Sequence, residues 1–393
     1  MGHRQCFGEL RKNKKSILEE HAMTDLKDPF KEARQTGPIQ MTKFNGEEIP
    51  LVLRLQDLRK TLKDWQLFSS DHPFKVVPHT EEKMRTIRQI PIEMDPPDHT
   101  EYRALVEPFF KRPNDPAYIK DMEQLIQSMV GMALSADQVE AVHEFALPLQ
   151  CRALTRLLNV PETEADVWKD WGLHALTEGE GLEEYTAEQF TKAEKNPGGD
   201  FFSMLNRVEF RGRKLTFEEK QGIANVTFAG GKDTVINVVS SIIVYFAENG
   251  EALKILGESE KNINTACEEF VRYVSPLTAI ARTCPHAVKV ADQEIPADTR
   301  IGLCWPSANR DETVFDQADE LVLDRTPNPH VGFGFGIHNC LGAPQTRLII
   351  RSLLKAVSEK VKAIELISTV PRMEEEESYI RQVGFNHALA KFN

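Results

Sequence analysis

A mainly α-helical fold with small β ribbons is predicted by three features of this 393-residue sequence. Apolar residues recur at helical spacing over most of Glu101 to Lys195 and again from Thr216 to Gly250. Strand-like patterns are short and few, the clearest being Ile49 to Leu55 and two runs within Ala287 to Leu303. No internal repeat or low-complexity tract divides the chain, so one domain over residues 25–393 is expected behind a polar tail at 1–24.

The elements follow in order. Asp25 to Glu47 reads as a short helix running into a turn at Gly37-Pro38, and "IPLVLRL" at 49–55 as a buried strand. "DLRKTLKDWQLF" (57–68) has helical spacing, with Asp57 placed to cap it. Ser69 to Asp98 is polar, rich in Pro and His, and reads as loop. Thr216 and Glu219 form a capping box for one long helix that ends at Asn249-Gly250. Its second half is apolar nearly all round, which calls for burial through the protein centre. Lys261 to Val274 is a helix stopped before Pro276, Ala287 to Leu303 a two-stranded hairpin, and Gly342 to Ile364 the closing helix.

Acidic residues outnumber basic ones, 60 to 48, for a net charge of −12. That balance argues against nucleic-acid binding, which requires phosphate neutralisation. No apolar run nears the roughly 20 residues that span a bilayer, so no membrane association is expected. The basic N-terminus lacks the apolar stretch of a signal peptide, and Cys6 stands where a myristoylation motif needs Ser or Thr. Six scattered cysteines without a CxxC pair fit a reducing compartment, and a cytoplasmic location is expected.

Cys340 breaks the pattern of ordinary small core cysteines. It sits in "FGFGIHNCLG" (333–342), where glycine is costly unless the backbone needs unusual dihedrals or close approaches. Gly334 and Gly336 allow a tight turn that aims N–H groups at the sulfur, and Gly342 lets the next helix start close to a flat ring. A thiolate so placed can hold a haem iron. Zinc is disfavoured because no second Cys or His lies at zinc spacing. His338 is the competing ligand, although its offset of two from Cys340 suits a loop in which one of the two faces the metal.

These residues resemble the haem-binding loop of the cytochrome P450 superfamily, F-G-x-G-x-H-x-C-x-G, at Phe333, Gly334, Gly336, His338, Cys340 and Gly342. Three further motifs follow the family's order. "EEFVR" supplies an E-x-x-R pair, Glu269 and Arg272, which by resemblance locks with Arg325 to assemble the core. "GGKDT" (230–234) resembles the camphor-hydroxylase branch: Gly230 and Gly231 make room for dioxygen, and Asp233 with Thr234 forms the acid–alcohol pair for proton delivery. Lys232 at its variable position is expected to turn away and pair with an acid. "MDPPDHTEYR" supplies His99 and Arg103, which with Arg282 and His338 match the family's partners for the haem carboxylates.

The resemblance implies the P450 fold, with haem b (iron protoporphyrin IX) buried between the long central helix and the Cys-loop helix. It makes Cys340 the axial ligand of the iron, with Phe333 shielding the sulfur. It implies a monooxygenase that takes O2 and two electrons to hydroxylate a small molecule; attack on an O-methyl carbon amounts to O-demethylation. No flavin or ferredoxin domain is read in the chain, so electrons are expected from a separate ferredoxin-type donor with its NAD(P)H reductase. Among Arg103, Lys111, Arg112, Arg347 and Arg351, the docking contacts expected are Lys111, Arg112 and Arg351.

Family positions facing the substrate are His72, Phe74, Val77, His79, Arg88, Val226, Leu277, Ile280 and Phe385. The loop from His72 to Ile90 also carries Lys75, Arg85 and Gln89, and its donors point to a polar substrate such as an O-methylated sugar. The alternatives are an apolar, terpene-like substrate, a peroxide-driven peroxygenase and a haem sensor without catalysis. The Asp233–Thr234 pair argues against the last two.

Overall fold

The structure is a computed structural model that describes residues 28–44, 46–76, 85–173 and 181–393. The polar tail with Cys6, and the pocket candidates Val77 and His79, lie outside the described residues.

Strands β1 (Ile39–Phe44) and β2 (Glu47–Val52) lead into helix α1 (Leu55–Lys63). Helices α2 (Asp98–Phe110) and α3 (Pro116–Ser135), strand β3 (Val139–Glu140), and helices α4 (Leu147–Leu158), α5 (Glu164–Asp170) and α6 (Leu182–Lys195) follow. The centre is crossed by α7 (Phe217–Gly231) and α8 (Asp233–Glu248), then α9 (Glu260–Val274). Strands β4 (Ala279–Cys284), β5 (Val288–Val290), β6 (Gln293–Ile295) and β7 (Thr299–Cys304) come next. Helix α10 (Ala343–Lys360) and the hairpin β8 (Ile364–Glu375) and β9 (Ile380–Phe392) finish the chain.

The strands form small sheets at the margins of the helices. One has the order β1-β2-β7-β4, parallel between β2 and β7 (Leu51 opposite Gly302) and otherwise antiparallel; another runs β8-β9-β3. Every residue of α8 from Val235 to Phe246 is buried, so this helix is a core element on all sides. Helices α3 and α10 pack together, and α9 packs on α10.

The structure corrects several expectations. The segment from Thr216 to Gly250 is two helices, interrupted at Lys232 (φ −108°, ψ −75°), although the capping box at Thr216 and Glu219 forms. Asp57 caps nothing: α1 begins two residues earlier, and its Leu55 N–H donates to Asp311 Oδ2 at 2.9 Å from a distant segment. Residues 39–44, read as part of a helix and turn, form β1 by pairing with β2, a tertiary override of weak local propensity. Ala287 to Leu303 is more than a hairpin, because β7 leaves β5 and β6 and joins the other sheet. The β8–β9 hairpin was not read from sequence; its bulges at Leu366/Ser368, Val370/Pro371 and Arg372/Met373 break the alternation that marks a strand.

One buried carboxylate ties α9 to the loops that follow it. Glu269 pairs with Arg272 at 2.7 Å and with Arg325 at 3.0 Å, and the side chains of Glu269 and Arg272 are wholly buried. Its oxygens also accept from Val322 N (2.7 Å) and Asn328 Nδ2 (3.1 Å). Arg272 in turn donates to the carbonyls of Asn309 and Ala318, each at 2.8 Å, and of Glu320 at 2.6 Å. Asn309 Oδ1 accepts from Val331 N at 2.8 Å, three residues before Gly334.

Removing one member of a buried ion cluster leaves the others charged without a counter-ion, typically a loss of about 3–5 kcal/mol. Glu269→Gln is therefore expected to lower stability by about that much in urea unfolding, and unchanged stability would contradict the role of this carboxylate.

Candidate active site

The Cys340 loop is shaped by two left-handed glycines, Gly334 (φ 73°) and Gly336 (φ 74°), a region that strains other residues. Gly336 is also sterically required, since a Cβ there would stand 2.6 Å from Leu62 O of α1. The turn closes through Gly334 N to Val331 O and Cys340 N to Phe333 O, both 2.8 Å. Cys340 is solvent-accessible, whereas Cys151, Cys267, Cys284 and Cys304 are buried. Yet the surrounding protein raises the thiol pKa by desolvation, partly offset by the backbone N–H groups of Gly342 and Ala343. Phe333 lies beside the thiol, with the Arg347 guanidinium 4.4 Å over its ring.

Four basic side chains converge next to this loop. His99 and Arg103 share a face of α2, and the His99 ring lies 4.2 Å from that of His338. Arg282 comes from β4. Burial, then Arg103 and Arg282, push the pKa of His99 down to about 4. Burial and the same cations hold His338 well below its usual range, and burial lowers Arg282 to about 10. Both ring nitrogens of His99 and Nε2 of His338 are buried without a hydrogen-bond partner. Asp95, the acid acting on Arg282, already accepts from Ser69 Oγ at 2.5 Å and Ser70 N at 2.9 Å. Buried bases and orphaned donors of this kind fit a dianionic group such as the two carboxylates of haem.

On the central helices, α7 ends at Gly231 and α8 restarts at Asp233. Thr234 Oγ1 donates to Gly230 O at 3.2 Å, and Asp233 stands 4.0 Å from Arg372 of β8. A Cβ added at Gly230 would meet nothing within 4 Å, so space is open there. Lys232 turns from the site into the protein and donates to Trp168 O at 2.6 Å.

The pocket candidates are placed unevenly. His72 and Phe74 are half-buried, and the Arg85 guanidinium lies 5.2 Å over the Phe74 ring. Arg88 is engaged by Asp71 and the Glu93 carbonyl, and Arg85 pairs with Glu93 at 2.7 Å, both side chains buried. The loop's guanidinium charges are thus met within the protein. Val226, Leu277 and Ile280 are half-buried, and Phe385 is buried. Two buried amides stand out: Gln89, one of the loop donors expected from sequence, and Asn225, which sequence reading did not single out. Gln89 is buried with Nε2 unpartnered, and Asn225 is wholly buried with neither amide atom partnered. Asn225 was detectable as the lone amide in the mostly apolar run "GIANVTFAGG" (222–231).

Acidification should expose the cost of the basic cluster. His99 has a folded-state pKa below its ordinary 6.5, so its contribution to stability is present above pH 6.5 and lost as pH falls through about 4. In haem-free protein, His99→Phe should flatten this acid limb by on the order of 3 kcal/mol in urea unfolding between about pH 7 and about pH 4. Parallel pH curves for the two proteins would refute the assignment.

Comparisons with known proteins point to one family. A family model described as Cytochrome P450 matches residues 261–361. A solved structure described as a carbohydrate active P450 is 42% identical with a TM-score of 0.92, covering 95% of this chain and 100% of that one. Linalool 8-monooxygenase of Pseudomonas putida is 28% identical over 87% of this chain and 90% of its own. Mycinamicin IV hydroxylase/epoxidase of Micromonospora griseorubida is 27% identical over 88% and 90%.

Proposed function

This chain belongs to the cytochrome P450 family and is a monooxygenase of that family, and on that premise we propose that it oxidatively O-demethylates a small, uncharged, oxygen-rich substrate of the methyl-sugar class. The observation carrying the substrate class is the pair of buried, unpartnered amides at Gln89 and Asn225. The loop closes onto α7 at Gly222, where a Cβ would stand 2.2 Å from Arg88 O. Asn225, three residues after Gly222 and four before Ala229, shares that helix face. A buried amide left without a partner costs about 1–3 kcal/mol, which a substrate hydroxyl would recover. Because the charges of Arg85 and Arg88 already have acidic partners, an uncharged polyol is favoured over an anion. The similarity to a carbohydrate active P450 points the same way.

Haem b, when bound, supplies the oxidising chemistry that places one atom of O2 in a substrate C–H bond at the expense of two electrons and two protons. Cys340 would hold the iron through its thiolate, with the N–H groups of Gly342 and Ala343 sharing the negative charge. His99, Arg103, Arg282 and His338 would hold the carboxylates. Thr234 would hold a proton at Oγ1 and Asp233 would replenish it from solvent. Glu269, Arg272 and Arg325 keep the Cys loop in place without taking part in the chemistry. Hydroxylation of an O-methyl carbon gives a hemiacetal, which collapses to the alcohol and formaldehyde.

A terpene-like substrate is the competing reading, favoured by the apolar positions Val226, Leu277, Ile280 and Phe385. A spin-state titration of the ferric protein with methylated monosaccharides beside matched terpenes separates the two. Methyl sugars are expected to shift the spin state and release formaldehyde on turnover, and Asn225→Leu to weaken their binding about 10- to 100-fold. Shifts with terpenes alone would overturn the polar reading.

The proposal extends to a ferredoxin-type electron donor docking over Cys340. Arg112 is a poor docking probe, because it donates to Leu157 O at 3.1 Å and to Asn159 Oδ1 at 3.2 Å. Arg347 is occupied by Glu268 at 2.7 Å. Lys111, 3.5 Å from Glu107, and Arg351 are the exposed candidates. Lys111→Glu with Arg351→Glu should slow first-electron transfer and weaken its salt dependence while leaving the substrate Kd unmoved. An unchanged rate across ionic strength would place the docking face elsewhere.

A further inference from the structure

Lys232 is 1% exposed and occupies the break between the two central helices. Burying an ammonium is costly unless its hydrogen bonds and charge are met, so a lysine in a core position where methionine would fill the same volume calls for a reason. Its Nζ donates to the carbonyl of Trp168 on α5 at 2.6 Å and lies 5.9 Å over the Trp171 ring. A second tether reaches the same break from α4. Gln150, 2% exposed, donates through Nε2 to Gly231 O, the last carbonyl of α7. The glycines at 230 and 231 are poor helix formers and leave the chain free to bend in many ways. The two tethers select one bend, from two helices that themselves stand outside the site. Immediately beyond it come Asp233, in the first turn of α8, and Thr234, which donates back to Gly230 O.

We propose that Lys232 and Gln150 are positioning residues: they fix the helix break from α5 and α4 and so set where Asp233 and Thr234 stand. The inference rests on the reading that those two residues handle protons during oxygen activation. Loss of the tethers would let the first turn of α8 fluctuate. Protons would then reach bound dioxygen out of step with substrate attack, and two electrons plus two protons would leave with O2 as hydrogen peroxide.

The test uses haem-loaded Lys232→Met, Lys232→Arg, Gln150→Leu and Thr234→Ala, each with NADH, a surrogate ferredoxin and its reductase. Lys232→Met and Gln150→Leu are expected to speed amide hydrogen exchange over residues 229–238 by about 10-fold or more. Both should also lower product formed per NADH, raise peroxide and leave substrate Kd unmoved, and Lys232→Arg should restore both readouts. A role in packing alone would not separate product yield from Kd in this way. Wild-type exchange in both tether variants overturns the proposal, whatever the coupling does. If Lys232→Met fails to fold, Gln150→Leu, which removes no charge, decides by the same outcomes. If Thr234→Ala couples like the parent, the proton-handling reading falls, and exchange alone then judges whether the tethers fix the break.

Discussion

The arrangement of this protein around its cysteine depends on one buried carboxylate. Glu269 gathers two guanidiniums, one backbone N–H and one side-chain amide in the core. A carboxylate with so many donors is a junction: it can be displaced only by abandoning several charge-assisted bonds at once. Through it α9, a helix, governs the irregular chain from Asn309 to Val331, which has little regular structure to fix its path. Arg272 and Arg325 carry the constraint outward to the carbonyls of Ala318, Gln317 and Glu320, and Asn309 carries it to Val331. The Cys loop begins there. A thiolate that must meet a metal at a fixed place needs such a rigid support, because the loop's glycines contribute freedom and no stiffness.

The second constraint opposes stability. His99, Arg103, Arg282 and His338 are drawn together; burial depresses all four pKa values, and repulsion by the two arginines adds to it at both histidines. Asp95 beside Arg282 and Glu107 beside Arg103 offset this only in part. A cradle for a dianion keeps its donors unmatched until the ligand brings the charge. The carboxylate of Glu269 and the basic cluster therefore differ: one is satisfied within the chain and stiffens it, whereas the other keeps ring nitrogens of His99 and His338 buried without partners.

Much of this was legible in the sequence because the informative residues are dense there. Gly334, Gly336, His338, Cys340 and Gly342 lie within ten residues, and their spacing alone encodes the turn. Helices α8, α9 and α10 carry clear periodicity. The illegible parts depend on contacts between distant segments. β1 is a strand through its pairing with β2, and the cap of α1 is Asp311, more than 250 residues away. The break at Lys232 was hidden because glycines and a lysine are compatible with a continuous helix; the tethers from Gln150 and Trp168 become visible only when α4 and α5 are in place. Burial of Asn225 and Gln89 is likewise a property of the folded chain, since a lone amide in an apolar run also suits a solvent-facing turn. The polar loop from His72 to Ile90 misled in a related way: its arginines read as donors for a ligand, and the fold gives them Asp71 and Glu93 instead.

The global charge and the local charge of this protein have different uses. A net charge of −12 repels acidic partners at long range, but screening at physiological salt limits that repulsion to about 8 Å. Within that distance a partner meets individual side chains. The candidate cations divide by their neighbours: Arg347 is held by Glu268, and Arg112 by carbonyls and by the rings of Phe109 and Tyr118, while Arg103 reaches the Asn339 carbonyl next to Cys340. Cations spent on internal contacts shape the loop and lend little to an encounter. Such an arrangement permits an acidic surface overall together with a basic patch at one place, provided the patch is built from side chains without strong internal partners. Attraction is then confined to contact range, where it can orient a redox partner and still let it leave after each electron.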